Sequence, residues 1–278
     1  MSKQAQQILQ HLYKAVETDQ IKLPTLPEVA LKIRQSVEKG DHSAADIANL
    51  LVQDTSLSAR LLQLANSPLY RARCEIDNLQ MAVTRLGIRI VKDLVIMLAI
   101  KQAFNSRDKE TETQFRKIWQ TSIDVAAGCR VLASIQGKLS TEQAILAGLI
   151  HNIGALPIIE LTNSQPSLFT GNQNLTDICR EIQAPLGEKI LNFWNFPQTL
   201  IDVACQWNNF HRAQKNDVDY VDIVQAALLY SPHAPAEIND DWSDISAINK
   251  LNLDPLEHQL NDEVQQQINE TRSSLMNI

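Results

Sequence analysis

The sequence predicts an all-α protein. Almost every segment repeats its apolar residues at helical spacing, and no run keeps the two-residue alternation of a strand for long. Glycine is scarce, at 8 of 278 residues, which disfavours turn-rich β folds and glycine-rich phosphate loops alike. Apolar residues make up 44% of the chain and charged residues 21%, the balance of a chain that folds around a core.

The elements follow in order. Residues 5–17 place Ile8, Leu9, Leu12, Tyr13 and Val16 on one helical face. In LPTLPEVALKIRQSVEKG, Thr25 is placed to cap a helix, Glu28 stands in the capping-box position and Gly40 stops it. The prolines at 24 and 27 force an extended approach. Ser43 and Asp46 open a further helix in the same way, and LSARLLQLANS ends at Ser67-Pro68, with Asn66 as a candidate cap. Residues 79–86 and 88–104 read as two helices meeting at Gly87. The charged stretch 105–113 is the expected hinge between two lobes. A long helix follows, with Phe115, Ile118, Trp119, Ile123, Ala126 and Ala127 inward. Ser140 caps the helix that runs through AILAGLIHNIG, and residues 162–174 form a polar loop. Helices are expected at about 175–183, 185–194, 197–210 and 218–230. Residues 231–240 then read as a linker, and 255–276 as a polar amphipathic helix. No internal repeat points to a solenoid.

Composition excludes several functions. Net charge is 25 − 32 = −7 with no basic tract, so nucleic acid is a poor partner. The most apolar stretch by this reading, 88–104, carries Arg89, Lys92, Asp93 and Lys101, so it is a buried helix and not a membrane span. The N-terminal residues lack the apolar run of a signal peptide. Cys74, Cys129, Cys179 and Cys205 show no CxxC or zinc-finger spacing and read as reduced thiols, mostly buried, in a cytoplasmic protein. The GxxxxGK[ST], HExxH, GxSxG and GxGxxG patterns are absent.

Of six histidines, only His151 sits in an apolar helical context, in AGLIHNIG. A lone histidine there is more often a satisfied core residue than a ligand. AGLIHNIG nevertheless resembles the AGLLHDIG signature of the HD superfamily of metal-dependent phosphohydrolases. Imidazole and carboxylate there hold a divalent metal that activates water against a phosphoester. The remaining pieces resemble one branch, the HDOD (HD-related output domain) family. They are LPTLPEVALKI (23–33), IANLLVQDTSLSARLLQLANSPLY (47–70), AVTRLGIRIVKDLV (82–95), WQTSIDVA (119–126), LGEKILNFWNFP (186–197) and VQAALLY (224–230), in the expected order over roughly residues 20–230.

The resemblance implies a helical N-terminal lobe (1–108) packed on a degenerate HD-like helical lobe (109–235), with a helical extension at 236–278. It also implies that the metal ligands have been replaced. Thr121 stands where the first histidine is expected, Asn152 replaces the aspartate of the His-Asp pair, and Gln183 replaces a further histidine. Trp207-Asn208 occupies the His-His position, and Ala227 the last aspartate. One imidazole cannot hold a catalytic metal, and an asparagine oxygen neither offsets its charge nor favours ionised water. No metal or other cofactor is expected.

The resemblance therefore implies a non-catalytic signalling module acting through protein contacts, with response regulators or cyclic-dinucleotide enzymes as candidate partners. Two alternatives stand beside it: a divergent metal-dependent phosphohydrolase, and a nucleotide sensor without turnover. For the sensor, Arg71, Arg73, Arg85 and Arg89 are candidate phosphate contacts, against the plainer reading of a solvated helix face. The aromatic group Phe193, Trp194, Phe196, Trp207 and Phe210 is core packing, a filling for the former metal cavity, or an apolar partner groove.

Overall fold

A computed structural model describes residues 1–18, 24–40, 42–70, 75–169, 175–212, 217–236, 238 and 241–276. Every regular element among them is helical. The first half holds α1 (Lys3–Glu17), α2 (Glu28–Lys39), α3 (Ala44–Val52), α4 (Thr55–Ala65), α5 (Leu79–Leu86) and α6 (Ile88–Ala103). The second holds α7 (Lys109–Gln136), α8 (Thr141–Ile150), α9 (Ala155–Ser164), α10 (Leu175–Phe193), α11 (Gln198–Gln206) and α12 (Tyr220–Leu229), then α13 (Ser246–Lys250) and α14 (Asp262–Met276). Single 3-10 turns lie at Pro68–Tyr70 and Pro166–Phe169.

Side-chain caps place most helix starts. Ser43 and Asp46 form the expected capping box on α3, and Asp219 with Asp222 forms another on α12. Ser140 accepts from Gln143 N at the head of α8. Thr25 does not cap α2. That helix starts at Glu28 with Pro27 in the cap position, because a residue before proline is driven out of the α region and the helix cannot begin earlier. Gly40 ends it at φ 79°, a left-handed geometry that glycine adopts without strain. Gly87, at φ 86°, is the one-residue corner between α5 and α6.

The charged stretch 105–113 runs into the start of α7 at Lys109. Asp108 caps that helix, and Glu112 reaches back to accept from Ser106 N at 2.7 Å. Glu110 and Glu112 in the first turn suit the positive end of the helix dipole. The two helices expected at 175–183 and 185–194 are one, with Pro185 inside α10. Proline removes one helical bond, but the buried stripe Ile178, Ile182, Leu186 and Ile190 runs straight past it and holds the helix together.

Packing does not follow the chain's halves. One apolar core runs from Leu26 to Leu275 and joins α2–α6 to α7–α14. The face of α1 (Ala5, Ile8, Leu12, Ala15) packs instead on Ile158 and Leu161 of α9 and Ile178, Ile182 and Leu186 of α10. The first helix thus belongs by packing to the second half. Trp194, at the end of α10 and 2% exposed, donates its indole N–H to Pro24 O at 2.7 Å and ties the approach to α2 onto α10. Arg34 of α2 lies 5.4 Å over the Phe196 ring beside it. Asn66 ends α4 and exchanges hydrogen bonds of 2.8 Å with both the N–H and the carbonyl of Ile76, which fixes the chain on either side of residues 71–74.

The run Thr141–Ser164 is long and apolar enough to cross a membrane, more so than 88–104, but 83% of its most apolar window is buried inside the fold and a turn at 151–154 breaks it. It is a core segment. Cys129 is buried, Cys179 and Cys205 are half-buried, and all three are free thiols; Cys74 lies outside the described residues.

A buried charge network closes the far end. Asp222 is fully buried and pairs with Arg212 and, at 3.0 Å, with Lys250 of α13, while Asp219 takes Arg212 at 2.6 and 2.9 Å. Removing one member leaves buried charge uncompensated. Asp222→Ala is expected to lower unfolding free energy by about 3–5 kcal/mol, read as a shift of the urea midpoint.

Candidate functional site

The segment AGLIHNIG holds its place through two glycines. A Cβ on Gly148 would fall inside contact distance of Ala126 Cα, so α8 crosses α7 backbone to backbone. A Cβ on Gly154 would overlap Gln183 O and stand 2.7 Å from Gly187 N, so the start of α9 lies directly on α10. The turn 151–154 is therefore clamped between α7 and α10, with the end of α11 beside it. This is why Thr121 and Ser122, His151 and Asn152, Gln183, and Trp207 and Asn208 meet although they come from four separate stretches of chain.

His151 is 2% exposed. Its Nδ1 lies 2.6 Å from Gly148 O, and a carbonyl only accepts, so Nδ1 carries the proton and Nε2 the lone pair. Burial pushes its pKa down to about 4; the Gly148 bond opposes this and His233 adds to it. The ring is neutral at ordinary pH and packs edge-on against Trp207, with centroids 5.1 Å apart at 78°. Asn152 is buried too. The Ser122 hydroxyl shares its one proton between Ile118 O and Asn152 Oδ1, both at 2.9 Å, and Gln183 Nε2 donates to Asn152 O at 3.2 Å.

These groups border a cavity of about 570 Å³. Thr121, His151, Asn152, Gln183, Trp207 and Asn208 all line it. Ala227 does not: it packs on Gly128 of α7, and Leu228 is the α12 residue that lines the cavity. Trp194, Arg85 and Arg89 are not among the lining residues either, and Arg71 and Arg73 lie outside the described residues. The aromatic group splits. Trp194 and Phe196 stand together with centroids 5.9 Å apart near Pro24, Phe193 is exposed, and Trp207 and Phe210 line the cavity. Sequence reasoning missed Lys117, Arg180 and His233, which also line it. Lys117 is four residues before Thr121 and Arg180 three before Gln183, so helical spacing alone puts each on the face of a singled-out residue. His233 comes from the segment read as a linker, where no local pattern marks it. Its Nε2 lies 2.8 Å from Asp124 Oδ2, and the other oxygen of Asp124 takes Arg272 of α14.

A family model described as the HDOD domain matches residues 23–210. The chain belongs to the HDOD family. A solved structure from Shewanella amazonensis, of a protein named as a candidate metal-dependent phosphohydrolase, is 29% identical and superposes with a TM-score of 0.80 over 99% of this chain and 100% of its own. The structure of an HDOD domain protein of unknown function from Geobacter sulfurreducens is 20% identical, with a TM-score of 0.68 over 96% and 98%. That likeness is one of fold. An uncharacterised Treponema pallidum protein is 27% identical over 221 residues, 74% of this chain and 42% of the relative, so the chain spans less than half that relative's length.

The site of this HDOD chain does not fit a divalent metal. A hard cation needs anionic oxygen or several imidazoles. The described lining offers two imidazoles, His151 and His233, one hydroxyl and three amide side chains, with no carboxylate; His233 Nε2 is already engaged by Asp124 and the oxygen of the Asn152 amide by Ser122. Among the described residues no group of three or more His, Cys, Asp or Glu side chains converges anywhere.

Two measurements check this geometry. Gly154→Ala places a methyl group against backbone that has no rotamer with which to yield, and is expected to cost about 1–3 kcal/mol or more in a urea titration. His151 has a folded pKa of about 4, below the ordinary 6.5, so the unfolded chain binds the extra proton between those values. Its stabilisation is whole above pH 6.5 and is lost as pH falls toward 4, by up to about 3 kcal/mol. The wild type should therefore lose more stability across that window than His151→Gln, when unfolding is followed at successive pH values.

Proposed function

We propose that this chain is a non-catalytic regulatory module of bacterial signal transduction that works in the cytoplasm through contacts with other proteins. One observation carries the reading: the cavity at the His-Asn turn of this HDOD chain has no carboxylate in its described lining and only two imidazoles, His151 and His233, the second already bound to Asp124. The three free thiols and the burial of the one long apolar run among the described residues support the cytoplasmic part. Without a metal to ionise water, the neutral His151 ring held by Gly148 is a packing and hydrogen-bonding residue. A module of this kind passes on its state by presenting a surface. Receivers of response-regulator type and cyclic-dinucleotide enzymes are the proteins to seek at it.

A second reading has one specific observation behind it, the name of the Shewanella relative. It is phosphohydrolase activity with ligands brought from elsewhere. Purified protein supplied with magnesium, manganese, iron or zinc is expected to release no product from nucleotides or phosphodiesters above the rate of buffer, measured by chromatography. Hydrolysis that disappears in His151→Ala would overturn the module reading in favour of the enzyme.

A further inference from the structure

A second cavity, of about 250 Å³, lies where α7, α12 and the last helix, α14, meet. From α7 and α12 its lining is small or apolar: Gly128, Leu132 and Ala227. A Cβ on Gly128 would stand 3.0 Å from Ala227 Cβ, so the two helices meet closely with little side chain between them. Ile268 and Arg272 line the cavity from α14, and Leu260 from the chain before it. The Tyr230 ring lines it too. That ring is set by an edge-on contact with Trp242, with centroids 5.2 Å apart at 88°, and by its hydroxyl, which donates to Asp254 O at 3.5 Å. The charges of the lining are engaged with one another. Asp124 takes Arg272 Nε on Oδ1, and His233 Nε2 lies 2.8 Å from its Oδ2. α14 itself is weakly seated. Its buried residues are Thr271, Ser274 and Leu275, which include one large apolar side chain. A polar helix of this length draws its stability from what it packs against, and here it packs in part across a cavity.

We propose that this cavity binds a small uncharged aromatic compound, and that its occupation fastens α14 to α7 and α12. The inference goes beyond the module reading and holds whether or not the chain is an enzyme. Size selects the ligand first. An apolar cavity of about 150 Å³ takes benzene, and drug-sized ligands need about 300–1,000 Å³, so 250 Å³ suits one ring or two fused rings. Shape and chemistry follow. Leu132, Leu260 and Ile268 offer dispersion contacts, and the fixed Tyr230 ring offers an aromatic partner. A charged ligand gains little. It would give up its water to meet an aspartate and an arginine that already hold each other. The ligand meets α14 through Ile268 and the body of the fold through Leu132 and Tyr230. Those contacts exist together only while the helix is docked, so binding and docking favour each other reciprocally.

Thermal melting and isothermal titration of the full chain test this with two matched pairs of probes: benzene with benzoate, and indole with indole-3-carboxylate. At least one uncharged ring is expected to raise Tm and to bind about tenfold or more tighter than its own carboxylate. At about ten times its Kd, that ring should also slow hydrogen exchange of the amides of α14 about tenfold, because it holds only the docked helix. Ile268→Trp fills the space from α14, and Leu132→Trp fills it from α7. Whichever of them keeps the wild-type circular dichroism should lose about tenfold or more of the binding. Gln267→Trp, the same bulk at the neighbouring exposed position, should keep it. Four results overturn the inference: no binding of either uncharged ring, a carboxylate that binds as tightly as its ring, binding that a folded filling variant leaves intact, or binding that leaves exchange in α14 unchanged.

Discussion

The backbone contact of the α8–α9 turn with α7 and α10 governs the rest of the structure. Gly148 lets α8 meet α7 at Ala126, and Gly154 lets α9 start against Gln183 and Gly187. A side chain at either position would push the helices apart by more than the local packing can absorb. Because they touch, the turn between them carries His151 and Asn152 into the interior, where Ser122, Gln183 and Gly148 satisfy them. The cavity is the space left in front of this clamp, walled by Trp207 and by Leu228 of α12.

The electrostatics of that space are consistent throughout. A cation inside protein needs acids around it, and a site without acids must hold neutral groups or suffer uncompensated charge. The described interior here is neutral: an imidazole kept unprotonated by burial, amides of Asn152, Gln183 and Asn208, and the hydroxyl of Thr121. Lys117 and Arg180, the basic residues of the described lining, are exposed. Two described acids have partners of their own. Asp124 is held between His233 and Arg272, and Asp222 is locked with Arg212 and Lys250 on the far side of α12.

The same contacts explain why the two halves of the chain form one core. Trp194 bonds to Pro24, Arg34 covers Phe196, and α1 lies across α9 and α10. At the other end α14 packs on α7 and on the 3-10 turn at Pro68–Tyr70. The last helix therefore touches elements of both halves, and its Arg272 reaches the acid that also holds a rim residue of the cavity.

Local periodicity and capping chemistry were enough to show an all-helical chain. Ser43-Asp46, Ser140, Gly40 and Gly87 mark ends that the structure places at the same residues, because those ends depend on bonds within one turn. The motif order along 23–210 likewise made the family legible. What periodicity did not decide was anything set by distant partners. Pro185 reads as a break, yet a continuous buried stripe carries α10 past it. Trp194 and Trp207 look alike in sequence, but one closes on Pro24 and the other borders the cavity. Ala227 and Leu228 differ by one position, and only the rotation of α12 against α7 settles which of them faces the site. The sequence by itself determined the helical class and the family, since these follow from residue identity and short-range spacing. The tertiary structure decided that Thr121, His151, Asn152, Gln183, Trp207 and Asn208 border one cavity, since that depends on how close two glycines let four helices come.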